Sequence, residues 1–382
     1  MGQARIRPFG QARVWLVASV LAVAGLGLSA PTALAVPADF WGVSPQAPPT
    51  VEQLQRLQRG GVDSIRIGIP WSVVQPTEGG APSWSGIDSL VGGAAQAGLN
   101  VLPFIYEAPA WAVPRAKVPG RTTARAPKTL PVKSAAERNA WSAFLVLAAE
   151  RYGPGGRFWS DHPTLSAEPI RTWQIWNEPN FKYFVTRPNP ADYGKLVKIS
   201  FAALRSVDAG AQIVLAGMFS QPIEATRNFR PPQAYFAADF LERMYRSTPG
   251  IKSRFQGVAL HPYTGNFLRL APEIEEFRRA LKRNHDAGKG LWITEIGWSS
   301  EPFGQEHDSF AKGPGGQARE LKSAFSLFAH NAAKWRLKRI YWFSVDDAPG
   351  ICNFCGGSGL FSQGFVPKKS WYAYVHFAGG TP

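Results

Sequence analysis

Two glutamates stand beside apolar runs that have no evident need of a charge. Glu178 lies in Trp-Asn-Glu-Pro-Asn, and Glu295 follows the run Leu291-Trp292-Ile293. Two carboxyl groups can cleave an acetal when one, with a raised pKa, protonates the leaving oxygen and the other, still ionised, attacks the anomeric carbon. Glu178 is therefore a candidate acid/base, and Glu295 is a candidate nucleophile. Pro179 disfavours the α region for the preceding residue, so we expect Glu178 to be extended at a strand tip.

The elements that position these residues repeat eight times along the chain. The strands are continuous apolar runs, which are typical of parallel strands covered on both faces. Eight strand-then-helix units with right-handed crossovers predict an α/β fold, a single-domain (β/α)8 TIM barrel. The predicted strands span 40–44, 64–70, 100–106, 171–177, 212–218, 255–261, 291–296 and 339–345, and the predicted helices span 50–59, 86–97, 134–151, 190–208, 234–247, 272–287, 316–335 and 368–377.

An open, doubly wound sheet is the alternative architecture. Such a sheet usually begins with a glycine-rich turn, but the first strand here ends in Gly42-Val43-Ser44-Pro45, without the GxGxxG pattern. In a barrel, catalytic groups lie at the carboxyl ends of strands, and strands four and seven face each other across the mouth. Glu178 and Glu295 could then flank one glycosidic bond, about 5–5.5 Å apart as in retaining enzymes.

The two motifs, Trp-Asn-Glu-Pro and Thr-Glu-Ile-Gly-Trp, resemble those of clan A glycoside hydrolases. Within this clan the chain is most similar to family 39 and its bacterial exopolysaccharide-degrading relatives, followed by family 5, and the resemblance covers Phe40 to Phe377. It implies that a poly- or oligosaccharide is cleaved at β-glycosidic bonds by double displacement, through a covalent glycosyl-enzyme. Many xylosidase-like members of family 39 carry a β-sandwich after the barrel. Because this sequence ends just past helix eight, the resemblance favours barrel-only, endo-acting relatives.

The resemblance also implies roles for four residues around the carboxyl pair. Asn177 should hydrogen-bond the sugar 2-hydroxyl. Arg66, on strand two, should lie under Glu295 and keep it ionised, since an opposite charge lowers the pKa of a carboxylate. His261 and Tyr263 end strand six; Tyr263 is expected to hydrogen-bond Glu295, and His261 is expected to contact substrate.

Further substrate-binding candidates stand at other strand ends. Trp342, on strand eight, resembles the aromatic floor beneath the reacting sugar in the clan. The ring of Trp298 is a candidate platform on which a sugar could stack. Glu107 ends strand three, and Asp346 and Asp347 end strand eight, where their carboxylates could bind sugar hydroxyls.

The composition bears on partners and cofactors. The net charge of +15 predicts attraction to anionic surfaces, and an anionic polysaccharide is one expected partner. No nucleic-acid-binding module is recognisable. The six histidines form no HxH or HExxH pattern, so no metal site is predicted, and acetal hydrolysis by two carboxyl groups needs no cofactor. A basic loop that could overhang the barrel mouth contains Arg115, Lys117, Arg121, Arg125 and Lys128.

The N-terminus has the pattern of a secretory signal peptide. Arginines precede an apolar run, and Ala33-Leu34-Ala35 fits the cleavage pattern, so residues 1–35 are predicted to be removed and 36–382 to be secreted, with no membrane association after removal. An uncleaved anchor is the alternative. In an oxidising compartment Cys352 and Cys355 are expected to form a local disulfide, with free thiols as the alternative.

Two other functions are compatible with these motifs. A transglycosylase would use the same site with a sugar as acceptor instead of water. A carbohydrate-binding barrel without turnover belongs to another class, and the intact pair Glu178 and Glu295 argues against it.

Overall fold

The computed structural model of the protein describes residues 1–2, 36–113, 128–220, 231–232, 234–303, 309–352 and 354–382. The chain divides into two units, Met1–Leu34 and Ala35–Pro382. The predicted signal peptide lies almost wholly outside the described residues, as do Arg115, Lys117, Arg121 and Arg125 of the basic loop. Among the described helices, none combines the length and the apolar character needed to cross a bilayer.

Eight parallel strands close into a barrel in chain order, and the eighth pairs back to the first. This closure confirms the predicted (β/α)8 architecture and excludes the open sheet. Most strand residues are buried, as expected for parallel strands covered by helices. They are β1 (Trp41–Val43), β2 (Ser64–Pro70), β3 (Asn100–Tyr106), β4 (Thr172–Ile175), β5 (Gln212–Phe219), β6 (Gly257–His261), β7 (Gly290–Ile296) and β8 (Leu337–Trp342), and a short antiparallel pair follows, β9 (Phe361–Ser362) with β10 (Val366–Pro367).

Helices surround the barrel close to the predicted bounds. Thr50 and Gln53 form a capping box at the start of the first helix. At the start of the fourth helix, the Ser134 hydroxyl oxygen accepts a hydrogen bond from the Glu137 amide. The Glu137 carboxylate accepts a hydrogen bond from the Lys133 amide. The described helices are α1 (Val51–Arg59), α2 (Trp71–Val74), α3 (Ser85–Ala97), α4 (Ala135–Tyr152), α5 (Arg157–Asp161), α6 (Pro190–Val207), α7 (Ala237–Ser247), α8 (Leu270–Arg283), α9 (Gly313–Trp335) and α10 (Lys369–Ala378), with 3-10 turns at Ile251–Arg254 and Phe267–Arg269.

The tryptophans mainly fill the core between barrel and helices. Ten of the 13 tryptophans among the described residues are buried. The ring of Trp141 on α4, for example, contacts both Trp71 and Trp176. None of the described tryptophans lines the main cavity, so the high tryptophan content reflects packing rather than sugar binding.

Candidate active site

A cavity of about 660 Å³ opens at the carboxyl ends of the barrel strands. Its lining contains residues that end or directly follow several strands, which is where barrel enzymes carry their active sites. Five of the residues predicted from the sequence line it: Glu107, Asn177, Glu178, Tyr263 and Glu295.

Glu178 and Glu295 approach each other from opposite sides of the mouth. The Nδ1 atom of His261 lies 2.8 Å from Glu178 Oε1 and 3.6 Å from Glu295 Oε2. One oxygen of each carboxyl group lies within 4.8 Å of the other group. Inverting enzymes need about 6.5–9.5 Å to admit a water molecule, and retaining enzymes about 5–5.5 Å. The spacing therefore fits a nucleophile and an acid acting on one bond, and both side chains, 9% and 10% exposed, reach the cavity.

Arg66 organises the pair from below. Its guanidinium donates to Glu295 Oε1 at 2.7 Å, to Asn177 Oδ1 at 2.6 Å and to Gln174 Oε1 at 2.7 Å. It packs over the Phe104 ring, 3.9 Å from the centroid, and is itself 1% exposed. Because arginine can only donate, the Asn177 amide oxygen is committed to it, which leaves Asn177 Nδ2 as the donor for the cavity.

The environments of the two carboxyl groups separate their acidities. Burial raises the pKa of Glu178 well above its usual range, and the charge of Glu295 raises it further. Burial also raises the pKa of Glu295, but Arg66 and the hydroxyl of Tyr263, which donates to Glu295 Oε2 at 2.9 Å, oppose that rise. The proton of the pair therefore resides on Glu178, and Glu295 is the ionised member.

His261 lies beneath the two carboxyl groups, away from the cavity. The sequence-based expectation that it contacts substrate is wrong, because its side chain is fully buried and does not line the cavity. Burial, with the charge of Arg66, holds the pKa of His261 well below its usual range, so the ring is neutral. Its two nitrogens contact Glu178 Oε1 and Thr294 Oγ1, which makes it a positioning residue for Glu178.

The proton position on His261 follows from its neighbours. Gln174 Oε1 accepts from Arg66, so Gln174 Nε2 faces Thr294 Oγ1 and donates to it at 3.3 Å. The Thr294 hydroxyl then donates to His261 Nε2, and the ring carries its proton on Nδ1, toward Glu178.

We call the connected residues the carboxylate network: Arg66, Gln174, Asn177, Glu178, His261, Tyr263, Thr294 and Glu295. Gln174 and Thr294 were missed as site residues from the sequence, since a strand polar residue alone does not reveal its partner.

A glycine on β5 makes room for this network. A Cβ atom at Gly217 would stand 1.9 Å from His261 Nε2 and 2.5 Å from Thr294 Oγ1. The Gly217 carbonyl also accepts the Glu178 amide at 3.1 Å. Close approach of the backbone, rather than an unusual φ, is why glycine is required there.

The backbone of Glu178 differs from the expectation. Its φ is +39°, and that of Trp176 is +72°, so the predicted extended conformation is wrong. β4 ends at Ile175, earlier than predicted, and the chain then bends into the mouth. The amides of Trp176 and Glu178 are held by carbonyls of β3 and β5, Ile105 and Gly217. These neighbours maintain a backbone conformation that is unfavourable for non-glycine residues and that aims the carboxyl group at the cavity.

Neither tryptophan predicted to bind sugar reaches the cavity. Trp342 and Trp298 are fully buried, and their indole nitrogens donate to the carbonyls of Ser358 and Thr264. The residue after Trp342, Phe343, lines the cavity instead. Successive side chains of a strand point to opposite faces. A prediction that is wrong by one residue therefore selects a core residue in place of a residue that lines the cavity.

Asp346 and Asp347 do not line the cavity either. Asp347 is buried in an ion pair with Lys368 at 2.9 Å and accepts the Gly359 amide. Asp346 forms a β-bridge with Phe361. The expected role of both in binding hydroxyls is therefore wrong, because the chain after β8 turns them toward the segment that precedes α10.

An apolar surface that sequence reasoning missed covers one side of the cavity. Cys352 and Cys355 form a disulfide, and the short loop that it closes carries Phe354. The Cys-Asn-Phe-Cys segment indicates this loop in the sequence. Nothing in the sequence indicates the other apolar residues of this surface. We call this surface the aromatic wall; its cavity-lining members are Phe219, Phe303, Phe310, Phe343, Ile351 and Phe354.

One group among the described residues has the spacing to hold a cation, namely Glu178, His261 and Glu295. The guanidinium of Arg66 already contacts Glu295 at 2.7 Å, so a bound cation would lie beside a fixed positive charge. His261 Nδ1 is turned to Glu178 as a donor in the arrangement above, and a metal ligand needs a lone pair there. The donor set fits an acid and a nucleophile better than a metal centre.

Comparisons with known proteins agree with this geometry. The family model described as "Glycosyl hydrolase catalytic core" matches residues 157–372. A β-xylosidase of Geobacillus stearothermophilus is 28% identical over 255 residues, which are 63% of this chain and 46% of that protein. The chain thus spans about half the length of this curated relative.

Solved structures show the same fold. A family 39 glycoside hydrolase from Bacteroides cellulosilyticus WH2 superposes with a TM-score of 0.58 at 20% identity, over 90% of this chain and 64% of that one. A monomeric β-xylosidase from Caulobacter crescentus CB15 superposes with a TM-score of 0.58 at 18% identity, over 90% and 69%.

Proposed function

The chain belongs to the glycosyl hydrolase catalytic core family, and from this premise we propose that it hydrolyses β-glycosidic bonds with retention of configuration. The observation that carries the proposal is the spacing of Glu178 and Glu295, whose nearest oxygens lie within 4.8 Å across an open cavity. That spacing favours a covalent intermediate over direct attack by water.

In the first step, Glu295 attacks the anomeric carbon and forms an ester bond with it. The bond to the leaving oxygen breaks, and Glu178 donates its proton to that oxygen. The raised pKa of Glu178 keeps the proton available near neutral pH, while Arg66 and Tyr263 hold Glu295 ionised. The Asn177 Nδ2 donor can bond the neighbouring sugar hydroxyl as charge develops at the ring.

In the second step, Glu178 has become a carboxylate and acts as a base. It takes a proton from water, the water oxygen attacks the anomeric carbon, and the ester bond to Glu295 breaks. The pKa of Glu178 falls between the two steps, as a switch from acid to base requires. The reason is that Glu295 loses its charge when it is esterified and no longer repels a second carboxylate.

The polar part of the lining supports binding of a sugar on one side of the scissile bond. Glu107, Lys128 and Asn177 can bind hydroxyl or carboxylate groups of a poly- or oligosaccharide, and Lys128 keeps an anionic glycan within the proposal. The relative named as a β-xylosidase makes β-xylosides the first substrates to test.

Trapping with a fluorosugar inactivator tests the mechanism. We expect incubation with activated fluorinated β-glycosides of several sugars to add one glycosyl unit to the protein, and peptide mass spectrometry to locate it on Glu295. Proton NMR of the first product should show the β-anomer. First release of the α-anomer would overturn retention, and absence of any turnover or adduct across the panel would overturn the activity. Product analysis on an oligosaccharide distinguishes hydrolysis from transfer to a sugar acceptor.

We also propose that the protein is exported, with cleavage after Ala35. The arginine-then-apolar pattern of residues 1–35 supports this. N-terminal sequencing of protein recovered from the culture medium should begin at Val36. Retention of the protein in the membrane fraction with Met1 intact would favour an anchor.

A further inference from the structure

The described lining of the cavity is divided by polarity between the two halves of the barrel. On or after the first four strands, seven of the nine lining residues carry hydrogen-bonding side chains, whereas Phe104 and Phe184 do not. On or after the last four strands, the six members of the aromatic wall line the cavity together with Tyr263, Glu295 and Cys352. The two surfaces therefore offer different chemistry to the two parts of a substrate that the scissile bond joins.

Phe354 is the centre of the aromatic wall. Its ring lies 5.8 Å from that of Phe343, nearly parallel to it, and meets the rings of Phe303 and Phe310 edge-on at 5.4 and 6.2 Å. Phe219, Phe343 and Phe354 belong to a small hydrophobic cluster beside the barrel core, and Phe310 packs against both. At its outer edge Ile351 is 53% exposed. The apolar surface of the wall therefore extends from the cavity to solvent at Ile351.

The described part of this side of the cavity offers few hydrogen-bonding partners for a second sugar. Among the described lining residues here, Tyr263 and Glu295 carry hydrogen-bonding side chains, and the Tyr263 hydroxyl is donated to Glu295. Gln46 stands at the border, with its side-chain oxygen 4.0 Å from Cys355 Sγ. A sugar could stack its C–H face on one ring, but any hydroxyl group turned toward the wall would lose water without a replacement partner, which is costly. An aryl or alkyl group carries no such hydroxyls.

The wall begins beside the acid/base. Phe219 ends β5, and its amide donates to Asn180 Oδ1, two residues beyond Glu178. The Glu178 amide in turn donates to the Gly217 carbonyl on the same strand. A group joined to the oxygen that Glu178 protonates is therefore delivered to the Phe219 end of the wall.

Resting on the proposed function, we propose that the aromatic wall binds an apolar aglycone, so that the substrate is a glycoside of a phenol or a long-chain alcohol. The sugar would occupy the polar half of the cavity, and the leaving group would occupy the apolar half. This substrate class differs from the purely saccharide chain that the sequence predicts.

Ethyl and octyl β-glycosides of one sugar provide the test. Their leaving groups have similar basicity, so a difference in kcat/KM reports binding of the alkyl chain rather than the ease of bond cleavage. We expect the octyl glycoside to be preferred by about tenfold or more, because each buried methylene favours the bound state. Equal values for the two glycosides, or a preference for a disaccharide of the same sugar over both, would overturn the proposal.

Two variants connect that preference to the wall. Phe354→Ala removes the central ring, and Ile351→Ser changes a side chain that is 53% exposed. Both should lower the octyl-to-ethyl ratio of kcat/KM, Phe354→Ala the more. Leu268→Ser is the matched control, because Leu268 is 70% exposed and lies outside the cavity lining. An unchanged ratio in Ile351→Ser and in folded Phe354→Ala would contradict the assignment.

Binding separates this inference from the proposed function. Calorimetry with the Glu178→Gln variant, in which turnover of alkyl glycosides should be strongly slowed, measures the affinity for both glycosides. Tighter binding of the octyl glycoside, lost in Glu178→Gln combined with Phe354→Ala, would support the wall even if no panel sugar is hydrolysed. Turnover without an octyl preference in either measurement would leave the proposed activity standing and overturn the aglycone.

Discussion

The carboxylate network and the aromatic wall line one cavity but are built differently. The network lies mostly on or next to strand ends, and its charged groups are buried and hydrogen-bonded to one another around Arg66. Much of the wall lies on the loops after β7 and β8, and it is held by ring contacts and a disulfide. The difference indicates that the barrel positions the chemistry, whereas the loops set what that chemistry acts on.

The two regions should respond differently to substitution. A substitution in the carboxylate network should lower kcat/KM by the same factor for all substrates whose leaving groups have the same basicity. A substitution in the aromatic wall should lower kcat/KM more for glycosides with an apolar aglycone than for those with a small one. The octyl-to-ethyl ratio of kcat/KM is thus the quantity that distinguishes the two regions, and the variants below are ordered from the largest expected effect to the smallest.

Glu295→Gln should have the largest effect, because it removes the proposed nucleophile. We expect a loss of kcat of roughly 10⁶-fold on activated and unactivated glycosides alike, the scale seen when a covalent nucleophile is removed. Steady-state rates with an aryl glycoside measure it, and circular dichroism checks the fold. A near-normal rate in the folded variant would show that the nucleophile has been assigned to the wrong residue.

Glu178→Gln should depend on the leaving group. With alkyl glycosides we expect a loss of roughly 10²–10⁴-fold in kcat/KM, the usual contribution of a general acid, and a much smaller loss with a nitrophenyl leaving group that needs no proton. Added azide should accelerate Glu178→Ala on the nitrophenyl substrate by replacing activated water. Equal losses on both substrate types would exclude the acid role.

Tyr263→Phe changes the pH dependence. The Tyr263 hydroxyl stabilises ionised Glu295, so its removal should raise the pKa of Glu295 and move the acidic limb of the kcat/KM profile to higher pH. A hydrogen bond to a charged group contributes about 1.5–3 kcal/mol, so a loss of roughly 10–100-fold in kcat/KM is expected. The octyl-to-ethyl ratio should change little. A shift of the limb to lower pH would contradict the proposed stabilisation.

Reduction of the Cys352–Cys355 disulfide should have the smallest effect and should act through the wall. The disulfide restricts the loop that carries Phe354, so mild reduction should lower the octyl-to-ethyl ratio by a few-fold, roughly the effect of loosening one packed ring. Measuring both substrates before and after reduction, with thiol titration, tests this. A fall that is equal for both substrates would place the disulfide's influence on the network instead.

Much of the barrel and the central pair could be predicted from local pattern. The predicted bounds of β2 (Ser64–Pro70) and β3 (Asn100–Tyr106) match those in the structure. Buried parallel strands are continuous apolar runs, and a charge at the end of such a run stands out. For that reason Glu178 and Glu295 were located by the sequence, and Arg66 and Tyr263 lie where the resemblance placed them.

Only the tertiary structure decided which way side chains face and what loops bring together. Trp342 and Phe343 are neighbours in sequence, yet one is core and the other lines the cavity. The burial of His261, the bend at Glu178 and the contact of Phe219 with Tyr263, which follows β6, all depend on contacts between strands or loops far apart in the chain. Local periodicity carries information about buried strands because burial repeats along them. Loop side chains meet through the closure of the barrel, which no short stretch of sequence encodes.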